Sequence, residues 1–212
     1  MKINRAILVG VILLSATVAL GQNRFELFGE YSYLRFNPTL SETSNRSFNG
    51  GGGGVTIYFA KVLGIKAELM GYGRTSFTTT FASSVILPDG SMIPAGTYKA
   101  QGNMVTYLAG PVVSTSISKV APFGELLMGA SHNNAYANLE RSIIAGGGNI
   151  SKIPTQHPFT MALGGGLDIS ISSQVSIRPI EIDYLLSRYS NPLSGPTNQN
   201  NFRYCGGIVL KF

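Results

Sequence analysis

Apolar and polar residues alternate along the end of the chain. In NFRYCGGIVLKF, Phe202, Tyr204, Gly206, Ile208, Leu210 and Phe212 share one parity, and Arg203, Cys205, Gly207, Val209 and Lys211 share the other. Successive side chains of a strand point to opposite faces. The segment therefore predicts a strand with one apolar face, aromatic near both ends, and one mixed face carrying charge. A soluble sheet packed on a core gives the same alternation, so the other segments have to decide between the two settings.

Rich in β-formers and glycine, the segments 25–36, 50–60, 63–75, 102–117, 121–133, 158–171, 175–188 and 202–212 read as eight strands. Most reach the ten or so residues that let a tilted strand cross a bilayer, whereas soluble strands average about five or six. The connections alternate in length. Those at 61–62, 118–120 and 172–174 are tight, and those at 37–49, 76–101, 134–157 and 189–201 are long and polar. An up-and-down barrel with short turns at one end and long loops at the other has this rhythm, and an even strand count puts both termini at the short-turn end.

The parity of each segment carries the argument further. In PFTMALGGGLDISI, Phe159, Met161, Leu163, Leu167, Ile169 and Ile171 oppose Thr160, Ala162, Asp168 and Ser170. Ile180, Ile182, Tyr184 and Leu186 oppose Glu181, Asp183 and Ser187, while Leu63, Ile65, Ala67 and Leu69 oppose Lys66, Glu68 and Arg74. Phe25, Leu27, Tyr31 and Tyr33 oppose Glu26, Phe28, Glu30 and Ser32, and Glu125 alone marks the inner face of its strand. Seven of the ten acids (Glu26, Glu30, Glu68, Glu125, Asp168, Glu181 and Asp183) thus lie in strands, away from the apolar band. Buried charges need partners. Lys66, Arg203 and Lys211 share their parity, and Arg178 joins them if Pro179 sits in a bulge. A charged interior inside an apolar exterior is the reverse of a soluble protein. It suits a closed barrel in lipid, where every backbone group is paired. Gly50 to Gly54, Gly164 to Gly166 and Gly206-Gly207 weaken an ordinary strand. In a narrow barrel they leave room for large interior neighbours; as an alternative, NGGGGG reads as a linker.

Composition agrees. Charged residues are 12% of the 212, about half the usual share, while 44% apolar residues exclude a disordered chain. Lys2 and Arg5 precede an apolar stretch from Ala6 to about Leu20, and Ala19-Leu20-Gly21 offers small residues for cleavage before Gln22. This predicts a secretory leader at 1–21 and a barrel domain at 22–212. The stretch is shorter than the roughly 20 residues of a spanning helix, and no cysteine follows it to carry a lipoprotein anchor. Loss of the leader lowers the formal charge from +6 to +4. The remaining bases are scattered, which argues against a nucleic-acid partner. Cys205 is the one cysteine, so an internal disulfide is excluded.

With these features the chain resembles the eight-stranded outer-membrane barrels of the OmpA transmembrane-domain and opacity-porin type, over about 22–212. The resemblance implies an all-β, eight-stranded antiparallel up-and-down transmembrane barrel in the bacterial outer membrane. It also implies that Tyr204, Ile208, Leu210 and Phe212 form a C-terminal signal read by the outer-membrane assembly machinery, with Gly206 as a departure from the pattern. Outer-membrane lipid and lipopolysaccharide are the implied surroundings, and no appended peptidoglycan-binding domain is expected. Fold alone does not give activity.

Candidate chemistry is thin. Some eight-stranded barrels are lipid A deacylases with Ser, His and Glu at the outer rim, and Ser131, His132 and Glu140 stand near one another here. That family's His and Ser are two residues apart on one face, whereas Ser131 and His132 are adjacent and face opposite sides. His132, His157 and Cys205 lack metal-ligand spacing; no metal or cofactor is expected, and Cys205 reads as a small interior filler. PDGSMIPAG at 88–96 reads as a turn in a hairpin extending the second loop. AGGGNI at 145–150 lacks the Lys-Ser/Thr of a phosphate loop and reads as a loop tip. Three functions follow: a structural or surface-interaction barrel plugged by its charges, with loops meeting a ligand; a narrow pore for small solutes or ions; or an exported soluble lipocalin-like barrel with the opposite polarity.

Overall fold

Period-two alternation closes the chain into a ring. The computed structural model describes residues 25–36, 46–87, 89–150, 157–191 and 195–212. The expected leader, Gln22 and most of the first long loop lie outside these residues. The elements are β1 (Phe25–Phe36), β2 (Arg46–Tyr58), β3 (Leu63–Phe81), β4 (Val85–Ile86), β5 (Met92–Ile93), β6 (Gly96–Ser114), β7 (Val120–Asn133), α1 (Ala135–Ala145), β8 (Phe159–Ser170), β9 (Val175–Asn191) and β10 (Gly195–Lys211). Eight of the strands form one closed antiparallel barrel in the order β1-β10-β9-β8-β7-β6-β3-β2. β10 closes it against β1 with a register running from Glu26 opposite Lys211 to Arg35 opposite Phe202. Beyond β10, the Phe212 N–H donates to the Phe25 carbonyl at 2.9 Å, and the two rings lie 6.0 Å apart.

The polarity of the wall is inverted. Ile65, Leu69, Leu163 and Ile208 point outward and are 54–57% exposed. Lys66, Glu181 and Arg203 point inward and are at most 1% exposed. A soluble lipocalin-like barrel requires the opposite arrangement. The glycine run of β2 is a strand rather than a linker, paired from Gly50 opposite Tyr72 to Gly54 opposite Glu68.

The tight turns lie where expected, but the long connections differ from the sequence reading. β3 and β6 each run for 19 residues and stay paired up to Phe81 opposite Gly96, so most of the second loop is a strand arm. At its tip β4 and β5 pair through a turn in which Gly90 has φ +80, a conformation that favours glycine. β9 and β10 extend likewise, into residues expected to be loop.

The segment 134–157, expected to be a polar loop, contains α1. Its position has a physical reason. β7 stops pairing with β6 at Asn133 opposite Met104, which leaves the upper edge of β6 with unpaired backbone groups. Asn134 Oδ1 accepts from the Asn103 N–H at 3.0 Å, and Asn138 Nδ2 donates to the Gln101 carbonyl. On its other side α1 contributes Leu139 and Ile143 to a second apolar cluster with Phe81, Leu87, Ile93, Tyr98 and Ile150. Residues 145–150 are therefore not a free loop tip. Asn149 exchanges backbone hydrogen bonds with Met92 at 2.8 and 3.0 Å, and Ile150 is buried.

Candidate functional site

The inward parity of the strands gathers charge at the middle of the barrel. Lys66 on β3 donates to Glu125 Oε1 and Oε2 at 3.1 and 2.9 Å and to Glu181 Oε2 at 2.9 Å; Glu68 Oε2 lies 3.5 Å away. Arg178 on β9 grips Asp168 with two parallel hydrogen bonds of 2.7 and 3.0 Å. Its Nη1 also reaches Glu30 at 2.7 Å and Glu181 at 2.9 Å. Arg203 on β10 donates through Nε to Asp183 at 2.8 Å and through Nη1 to Glu68. Glu181 lies against Lys66, Arg178 and Arg203, so it is the hub of the network. Near the short-turn end Lys211 stands 4.0 Å from Glu26 and remains partly exposed. The seven acids, Lys66, Arg203 and Lys211 therefore project into the lumen, nine of these ten buried. Arg74, which the sequence put on the same parity, is instead exposed where the β3–β6 register shifts past Tyr72.

Arg178 enters through the bulge that Pro179 makes. Between Cys205 and Gly207 the pairing of β10 with β9 shifts, so that Pro179 and Ile180 together face Gly206. Both point outward, and Arg178 and Glu181 both point in. Proline has no N–H to give to the ladder and fits where the ladder is interrupted.

Two aromatic rings complete the site: Phe28, which parity put on the inner face, and Phe123, which the sequence reading did not single out. Lys66 Nζ lies 4.8 Å from the Phe28 ring centre, and the Arg178 guanidinium lies 4.3 Å from that of Phe123. Cation–π contact offsets part of the desolvation of each cation. The rings need space, which glycines supply. A Cβ at Gly54 would stand 2.6 Å from the Phe28 ring, and one at Gly166 would stand 2.8 Å from the Phe123 ring. The sequence signal for these partners was a glycine on the inward parity across from an inward aromatic.

Isolated charges in such an interior carry a large desolvation cost, and multiple short hydrogen bonds are what offset it. The offset is incomplete on the acidic side. Seven carboxylates face four cations in the lumen, and one oxygen each of Glu26, Glu30, Glu68, Glu181 and Asp183 has no hydrogen-bond partner. Among the described residues, Glu68, Glu125 and Glu181 bring carboxylate oxygens close enough together for a metal ion, and Glu30, Glu181 and Cys205 do so with two carboxylate oxygens and the Cys205 Sγ. The Lys66 ammonium already sits on two members of the first set, and the Arg178 guanidinium on two of the second, so a metal would have to displace them.

Tyr204, Ile208 and Leu210 on β10, and Phe212 just after it, are all exposed on the outer side. Cys205 faces inward and donates to Ser32 Oγ at 3.3 Å. Ser131 and His132 point to opposite faces. Ser131 is buried in the lumen, where Thr160 Oγ1 donates to it at 3.1 Å. His132 is on the outside, its ring centre 4.8 Å from that of His157. Glu140 is buried on α1.

No protein-family model matches the chain, and no curated protein matches its sequence. Solved structures do match. The crystal structure of Neisserial surface protein A is 7% identical with a TM-score of 0.55, covering 89% of this chain and 97% of that one. The outer membrane protein OprG from Pseudomonas aeruginosa is 16% identical with a TM-score of 0.56, covering 90% and 96%. At these identities the likeness is one of fold, and it agrees with the closed ring described above: the chain has the fold of the eight-stranded outer-membrane barrels.

Proposed function

We propose that the protein is a bacterial outer-membrane barrel whose lumen is plugged by the Glu181-centred charge network and whose long-loop end meets the surroundings. The observation that carries this reading is the inverted polarity. A wall with Ile65, Leu163 and Ile208 half exposed and Lys66, Glu181 and Arg203 buried is favourable in hydrocarbon and unfavourable in water. The outward-facing Tyr204, Ile208, Leu210 and Phe212 fit a C-terminal strand recognised by the outer-membrane assembly machinery, in a bilayer of lipid and lipopolysaccharide. The ion pairs that cross the lumen argue for closure. Membrane fractionation with electrophoretic mobility before and after heating tests the reading. The expected result is an outer-membrane species whose mobility changes on boiling; a soluble periplasmic species with unchanged mobility overturns it.

A second reading, a narrow pore, is favoured by the surplus of lumen carboxylates over cations and by their unpartnered oxygens. Such a pore would pass cations rather than anions. Planar-bilayer recording separates the two: small or absent currents support the plug, and large stable channels support the pore.

A further inference from the structure

We infer that the cleft between the β3–β6 arm and α1 is a binding site for an anionic saccharide, one carrying phosphate or sulfate esters. The cleft has a volume of about 750 Å³, within the range of roughly 300–1,000 Å³ usual for small-ligand sites. Arg74, Lys99 and Arg141 line it, and no carboxylate does. Among the described residues none of the three makes an ion pair. Inside the lumen, by contrast, Lys66, Arg178 and Arg203 each contact at least two acids. The exposed Arg35, Lys61, Lys119 and Arg188 also make no ion pair among the described residues, and what sets the cleft apart is that three cations share one concavity. Three like charges gathered in one concavity repel one another, and a bound anion relieves that repulsion.

The cleft is held in shape before any ligand arrives. Arg141 Nη1 donates to Asn138 Oδ1 at 3.1 Å, and Asn138 Nδ2 donates in turn to the backbone carbonyl of Gln101. The guanidinium is thereby tied to the edge of β6, which lowers the ordering cost of binding. Arg74 approaches from the neighbouring strand, just past Tyr72, where the β3–β6 register shifts. Thr78 and Lys99 are register partners, and both line the cleft. Guanidinium forks match phosphate and sulfate oxygens. The amides and hydroxyls alongside (Asn138, Gln101, Thr78) both donate to and accept from sugar hydroxyls. A bare inorganic anion would leave these groups unused.

The inference rests on the proposed function only in placing this end of the barrel outside the cell. Purified full-length protein, refolded in detergent and checked by heat-dependent mobility, is titrated with low-mass dextran sulfate, with neutral dextran, and with vesicles of lipopolysaccharide before and after phosphatase treatment. Saturable binding of dextran sulfate, of phosphatase-sensitive vesicles or of both supports the site and tells a free source from a lipid-borne one. The variant R74Q/R141Q should bind at least tenfold more weakly, and R74K/R141K should recover part of the loss. K61Q/K119Q, which removes the same charge from the short turns at the opposite end, should change affinity less than twofold. Equal losses in R74Q/R141Q and K61Q/K119Q, undiminished binding by R74Q/R141Q, or neutral dextran binding as well as the sulfate overturns the inference. These titrations do not depend on where the protein resides in the cell, so their failure is separable from failure of the fractionation test.

Discussion

Arg178 and Glu30 are 148 residues apart in the chain, yet their side chains meet inside the barrel at 2.7 Å. β9 and β1 are not neighbours; β10 stands between them. The contact therefore reaches across the inner face of β10, and it forms only once β10 has closed the ring against β1. Arg178 also holds Asp168 and Glu181. The network accordingly ties together strands from the beginning, middle and end of the sequence.

Glu181 is the carboxylate shared by all three buried cations. Truncating it to alanine should destabilise the barrel by about 3–5 kcal/mol, the cost of leaving a buried charge short of its partner. Glu181→Gln, which keeps hydrogen-bonding atoms, should cost less than Glu181→Ala. Urea titration in lipid vesicles, read by the mobility of the folded band, measures both.

Gly166 and Gly71 differ in what surrounds them. A Cβ at Gly166 would press on the Phe123 ring and on β9, whereas one at Gly71 meets nothing nearer than 3.9 Å. Gly166→Ala should therefore destabilise by about 1–3 kcal/mol through overpacking, and Gly71→Ala should be nearly neutral. Parallel unfolding curves of the two variants test the contrast.

Leu163 lies on the outer wall, 55% exposed. If that wall faces hydrocarbon, Leu163→Arg should cost about 2–4 kcal/mol near the midplane. In a water-facing wall the same change would be almost without effect. Folding into vesicles, compared with the parent protein, gives the answer.

Cys205 is buried and donates to Ser32. A maleimide reagent should label it in urea-unfolded protein and leave it largely unlabelled in the folded barrel, with a rate difference of at least a hundredfold. Rapid labelling of the folded species would show that the lumen admits the reagent at that depth.

Several features were legible in the residues because they depend only on a local rule. Period-two alternation fixed which face each strand presents, so the inward position of Glu68, Asp168 and Glu181 could be read without knowing any pairing. The bulge at Pro179 was legible for the same reason: Arg178 and Glu181 can share a face only if one extra residue lies between them. The helix was not legible. Ala135, Leu139 and Ile143 recur every four residues, but the stripe lasts for little more than two turns, and Asn134 makes no capping hydrogen bond from its side chain. What fixes α1 is the exposed edge of β6, which exists because β7 ends where it does.

The sequence by itself determined the strands, their faces, and an inside-out distribution of charge, since each follows from the spacing of neighbouring residues. Only the tertiary structure decided which cation meets which carboxylate, that Phe28 and Phe123 flank Lys66 and Arg178, and that Arg74, Lys99 and Arg141 share one cleft. Those relations depend on strand register and on the closure of the ring. Register accumulates around eight strands, and no local pattern of residues records that sum.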